Sequence, residues 1–85
     1  MTSTEKAILE ATGWKADDGY CGCMTKRWGE TAIVICPPEL GDGGWGYQAF
    51  DESDEEAMMY GEIAFEDYGF ANLAKVVEFV EGCMA

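Results

Sequence analysis

Thr31-Ala32-Ile33-Val34-Ile35-Cys36 restricts the fold more than any other segment, because it is apolar on both faces. In an extended chain successive side chains alternate, so Ile33 and Ile35 point one way and Ala32 and Val34 the other. A strand of that kind belongs in the middle of a sheet. Residues 20–28 supply a first neighbour, and Gly29-Glu30 between the two fits a two-residue hairpin loop of type II′, with Gly first. That loop sets Met24 opposite Ile35, Thr25 opposite Val34, Lys26 opposite Ile33 and Cys23 opposite Cys36. Pro37-Pro38 ends the strand, since neither residue can donate to a ladder. Gly41-Asp42-Gly43-Gly44 reads as a loop, and residues 45–50 as a third strand antiparallel to the second.

The flanks read as helices. Thr2 with Glu5 three residues on has the capping-box spacing, and Gly13 supplies a stop, so a helix is predicted over residues 3–12. Trp14 folds back onto the core, and residues 15–19 read as a loop. Phe70, Leu73, Val76, Val77 and Val80 recur at helical spacing and Gly82 suits a C-terminal cap, which predicts a helix over 70–81. Residues 54–67 fit two periods. On a helical wheel Glu55, Glu62 and Glu66 share one side, while Ala57, Met58, Tyr60, Gly61, Ala64, Phe65 and Tyr68 gather on the other. As a strand, Met59, Gly61, Ile63 and Phe65 share a face opposed to Tyr60, Glu62, Ala64 and Glu66. The helix is tidier, and Ser53 with Glu56 repeats the capping-box spacing, although Gly61 counts against it. The resulting expectation is one α+β domain over residues 1–85. It has a three-stranded antiparallel meander with helices packed on one face, in the order α-β-β-β-α-α.

Charge then narrows the function. The chain carries a net charge of −12 on 85 residues, with 48% hydrophobic content that argues for a folded domain. Residues 28–74 hold eleven acidic side chains and no Lys or Arg, and eight of those acids fall within 51–67. Such a charge repels nucleic acid and anionic lipid, so neither is expected as a direct partner. No apolar run is long enough to span a membrane and no signal peptide is visible, so a cytoplasmic, reduced setting is expected.

Chemistry-bearing residues are few. The chain has no His, and Ser3 and Ser53 are explained as helix-start residues. Gly41-Asp42-Gly43-Gly44 lacks the Lys of a phosphate-binding loop, and residues 51–56 lack the alternating ligands and Gly of a calcium loop. No catalytic residue, metal or cofactor is expected. Cys21, Cys23, Cys36 and Cys83 read first as small buried apolar residues. A zinc site built from all four thiolates and a Cys23–Cys36 bridge are the alternatives.

The acidic run reads as a binding surface. Its self-repulsion is costly in a compact fold, and Met59 and Ile63 lie on or beside its acidic side. Carboxylates interleaved with exposed apolar groups suit a basic protein surface. The partner-binding residues expected are Asp51, Glu52, Asp54, Glu55, Met59, Glu62, Ile63, Glu66 and Asp67. In size, acidity and lack of a catalytic motif the chain resembles the phage-encoded inhibitors of host defence, the anti-CRISPR proteins and other DNA mimics. That resemblance implies a mechanism in which carboxylates occupy the Lys/Arg groove where a partner holds nucleic acid. The rival expectations are a small Cys-based zinc or redox protein, and an acidic adaptor domain.

Overall fold

The computed structural model describes residues 1–16, 22–38 and 44–84. Its centre is the predicted hairpin. β2 (Met24–Trp28) and β3 (Thr31–Cys36) run antiparallel, with Met24 opposite Ile35, Thr25 opposite Val34 and Lys26 opposite Ile33. Gly29 has φ +60°, and no described non-glycine residue has positive φ, so the two-residue turn is of type II′ as Gly-first loops prefer. β4 (Trp45–Asp51) pairs with the other side of β3, placing Ile33 opposite Ala49.

The sheet does not stop at three strands. β1 (Lys15–Ala16), where a loop was expected, pairs with Thr25 and Met24. β5 (Phe65–Phe70), where helix was expected, pairs with β4. The described strands form one five-stranded antiparallel sheet in the order β1-β2-β3-β4-β5. With α1 (Ser3–Glu10), α2 (Glu55–Tyr60) and α3 (Leu73–Met84), the chain runs α1-β1-β2-β3-β4-α2-β5-α3. The class is α+β, but the three-stranded meander in the order α-β-β-β-α-α is incorrect.

The physical reason lies at the open edge of β4. A helix over 65–70 would satisfy its own backbone but leave the edge of β4 unpaired, whereas an extended segment satisfies both. A wheel preference of a few tenths of a kcal/mol per residue does not offset that. The helix also has firm ends. Asp54, not Ser53, is the N-cap and accepts the Ala57 N–H at 3.0 Å. Gly61 at φ 67° lets its own N–H and that of Glu62 turn back to the Met58 and Ala57 carbonyls, a Schellman closure.

The remaining boundaries follow similar local chemistry. Thr2 and Glu5 form the predicted capping box, by bonds of 3.1 and 2.8 Å. α3 starts after Asn72, whose Oδ1 accepts the Lys75 N–H at 3.0 Å, so Phe70 belongs to β5 and Gly82 lies inside the helix. Tyr20 and Cys21, read as the start of the first strand, lie outside the described residues, as do Gly41, Asp42 and Gly43.

One face of the sheet carries the main core. Leu9 of α1, Trp14, Met24, Ile33, Ile35 and Trp45 pack there with Leu73, Val76 and Val80 of α3. Burying each such apolar side chain contributes about 1.5–3 kcal/mol. Trp14 meets Trp28 edge-on at 5.7 Å. Lys26 clamps this side: its Nζ donates to the Thr12 carbonyl at 2.8 Å, pairs with Glu81 at 3.2 Å and sits 4.9 Å from the Trp28 ring centroid. The opposite face carries a smaller cluster of Cys23, Ala32, Val34 and Phe50. Helix packing on one face therefore holds for α1 and α3. α2 is an exception, since its Met58 and the adjoining Gly61 line a hollow with Thr25, Val34 and Phe50. Among the described residues no helix is long and apolar enough to cross a membrane.

Candidate functional site

Topology collects the acids at one end of the sheet. β4 ends at Asp51 and β5 begins at Phe65, so the segment between them, with α2, hangs from that end. The β2–β3 turn is there too, because the Glu52 N–H donates to the Glu30 carbonyl at 2.7 Å. So is the last turn of α3, whose Cys83 and Met84 line a hollow with Thr31 and Phe65. That turn carries no basic residue, and its open carbonyls add to the negative potential. Glu30 thus joins Asp51, Glu52, Asp54, Glu55, Glu56 and Glu62, and Glu66 and Asp67 follow along β5.

The expected site residues divide by what holds them. Asp51 Oδ1 accepts the Ser53 hydroxyl and the Ser53 N–H, and these bonds pull its carboxyl below the ordinary aspartate range despite a small opposing effect of desolvation. Glu52 is engaged within the fold: Arg27 Nε lies 2.9 and 3.1 Å from its two oxygens. Arg27 stands opposite Ala32, itself opposite Phe50, so the guanidinium reaches across β3 to the end of β4. The acidic run, cation-free in sequence, therefore has one cation beside it in space. Asp54 caps α2.

Glu55, Glu62 and Glu66 do not share a helical face. They lie on α2, after its Gly61 cap, and on β5. Glu66 accepts the Tyr68 hydroxyl at 3.3 Å, and that hydroxyl accepts from Gln48 at 2.8 Å. Asp67 Oδ1 accepts the Tyr68 N–H at 2.9 Å. Tyr68 stands opposite Gly46 and its ring occupies the space a side chain would fill there. Burial, more than the neighbouring charges, pushes the Tyr68 hydroxyl pKa up.

The apolar side chains of the stretch are exposed on more than the acidic side. Met59 is 76% exposed and Ile63 39%, while Tyr60 at 70% and Phe65 at 73% stand out although the wheel put them on the buried side. α2 buries none of its residues. Tyr60, Phe65 and Glu30 are therefore missed members of the surface. Asp54 and Gly61 mark the helix ends in the sequence, and with them the exposure of Tyr60. Phe65 has no local signal, because its exposure follows from β5 being the last strand.

Beside Phe65 the helix layer stops short. Phe79 of α3 packs on Tyr47 at 5.8 Å and on Phe70 at 5.5 Å. With Ala49, Phe65 and Met84, Phe79 lines an apolar hollow of about 320 Å³ between α3 and the outer strands. Burial first, then Asp67 and Cys83, pushes the Tyr47 hydroxyl pKa up.

Of the described cysteines only Cys23 is buried, Cys36 is half-buried and Cys83 is exposed. Cys23 and Cys36 belong to the smaller cluster, Cys83 lines the hollow on the α3 side, and Cys21 lies outside the described residues. Among the described residues no group of three or more Cys, Asp or Glu is placed to hold a metal ion. The arrangement at the acidic end can pair with several cations at once while offering apolar contact area between them. Set against protein-family models, curated proteins and solved structures, the chain matches none of them.

Proposed function

We propose that the chain is a small acidic binding protein, not an enzyme, that blocks the basic nucleic-acid-binding surface of a partner protein. The observation that carries this reading is the exposure of Met59, Tyr60 and Phe65, each at 70% or more, in a stretch that also carries Glu55, Glu56, Glu62 and Glu66. A solvated charge run has no use for three large uncovered apolar groups in its midst. In a docked complex each would regain about 1.5–3 kcal/mol on burial. The carboxylates would speed encounter and set orientation.

A groove that grips phosphates offers the Lys and Arg groups these acids require. A chain seated there excludes nucleic acid by occupying its contacts. The resemblance in size and charge adds the setting: a phage-encoded inhibitor acting in the host cytoplasm on a defence nuclease complex such as CRISPR–Cas. The test is capture from host lysate with immobilised wild type and with a Glu55→Lys, Glu62→Lys, Glu66→Lys variant. Wild type retains a nucleic-acid-binding protein that added DNA or RNA elutes, and the variant retains none of it. Capture indifferent to both charge reversal and nucleic acid contradicts the proposal.

A further inference from the structure

β5 is an edge strand: among the described residues it pairs with β4 alone. Alternate residues of such a strand turn their N–H and C=O groups outward, where they can pair with another extended chain. Its two faces differ. Phe65 lies on the α3 side, beside the hollow bounded by Phe79 and Met84. Glu66 and Tyr68 lie on the other side, joined by their hydrogen bond. The Tyr68 N–H is held by the Asp67 carboxylate.

We infer that β5 accepts an extended basic segment of the partner as a sixth strand. Its cations stand on the face of Glu66, and an apolar side chain on its other face sits beside Phe65 against Phe79. The inference rests on the reading of this end as a docking site for a basic protein, and it specifies the mode. Charge complementarity selects the occupant. A second copy pairing through β5 would bring Glu66 and Asp67 against their own duplicates, on chains that each carry a net charge of −12. Like charges placed opposite one another across strands are unfavourable. A strand with Lys or Arg on the face of Glu66 makes an attractive pair there instead. Alternation does the rest, since one face of an added strand meets the apolar hollow and the other meets Glu66.

The test uses a defined probe, the peptide acetyl-Lys-Val-Arg-Ile-Lys-Val-amide. Two forms are prepared, each N-methylated on one alternate set of backbone amides. Strand addition uses only one set as donors. One methylated form should therefore bind at least about tenfold more weakly than the parent, and the other within about twofold. Bound parent peptide should slow hydrogen exchange at alternate amides of β5. Phe65→Ser should weaken parent binding by about tenfold, as loss of an anchor does.

Equal binding of all three peptides, without slowed exchange in β5, overturns strand addition and leaves acidic docking standing. Absence of binding by every form overturns it too, while the capture experiment above judges the docking reading separately. A dimer in sedimentation, with β5 amides slowed before peptide is added, makes a second copy the occupant and likewise overturns the inference.

Discussion

Gly46→Ala probes the β4–β5 pairing where structure and sequence pattern part most sharply. Gly46 sits in β4 opposite Tyr68, next to an irregularity in the ladder at Trp45/Gly46. A Cβ at this position would overlap Tyr68 Cδ1 and lie 2.9 Å from Cε1 and 2.7 Å from the Asp67 carbonyl oxygen. The ring can swing away, at the expense of its bonds to Gln48 and Glu66. The carbonyl belongs to the backbone and moves only if β5 shifts from β4. Overpacking of this kind costs about 1–3 kcal/mol. Replacing a strand glycine returns only about 0.5–1 kcal/mol. Because the Asp67 carbonyl is backbone, the cost falls in the upper half of the overpacking range. A net loss of about 1–2.5 kcal/mol is therefore expected, and each kcal/mol lowers the melting temperature of so small a domain by about 4–8 °C. Urea unfolding of Gly46→Ala, Tyr68→Ala and the double variant forms the assay. Removing the ring should relieve part of the Gly46→Ala loss and leave the part due to the Asp67 carbonyl. If Gly46→Ala unfolds within about 0.3 kcal/mol of wild type, Tyr68 does not cover Gly46 and the register described for β5 is wrong.

Other perturbations test the remaining contacts. Lys26→Met removes the bond to the Thr12 carbonyl and the Glu81 pair, and should cost about 0.5–1.5 kcal/mol in urea, because the Thr12 bond is exposed and the Glu81 pair only part-buried; an unchanged midpoint contradicts the clamp. Thr2→Ala should cost about 0.5–2 kcal/mol and Thr2→Ser far less, read by the same unfolding curves. Asp51 is held below its unfolded value by Ser53, so its contribution is present above the unfolded pKa and is lost as pH falls through the folded one. Melts taken downward from about pH 4 should therefore drop more steeply for wild type than for Asp51→Asn. Parallel curves contradict the assignment.

The hairpin was legible because a two-residue turn with Gly first fixes both turn type and register, and every pair from Met24 to Lys26 follows from it. The buried stripe of α3 was legible because Leu73, Val76 and Val80 recur on one helical side, although Asn72 moved its start. β5 was not. Phe65-Glu66-Asp67-Tyr68-Gly69-Phe70 mixes apolar and acidic residues in a way that suits either period. The deciding term is the free edge of β4, which no local window contains. β1 escaped for the same reason, being two residues recruited by the edge of β2. At the candidate site, Met59 and Ile63 were legible as apolar groups beside acids. Tyr60 and Phe65 were hidden by treating the segment as one helix. The Arg27–Glu52 pair joins residues far apart in sequence, and only the topology brings them together.

Occlusion of nucleic acid is the central claim, and displacement measures it most directly. The protein captured from host lysate is purified and loaded with a fluorescent oligonucleotide, and the anisotropy is followed as the acidic chain is added. The account predicts competitive release of the oligonucleotide. Release should weaken as salt rises, and should be lost in the Glu55→Lys, Glu62→Lys, Glu66→Lys variant. A ternary complex that keeps the oligonucleotide bound while the chain saturates the partner would contradict it.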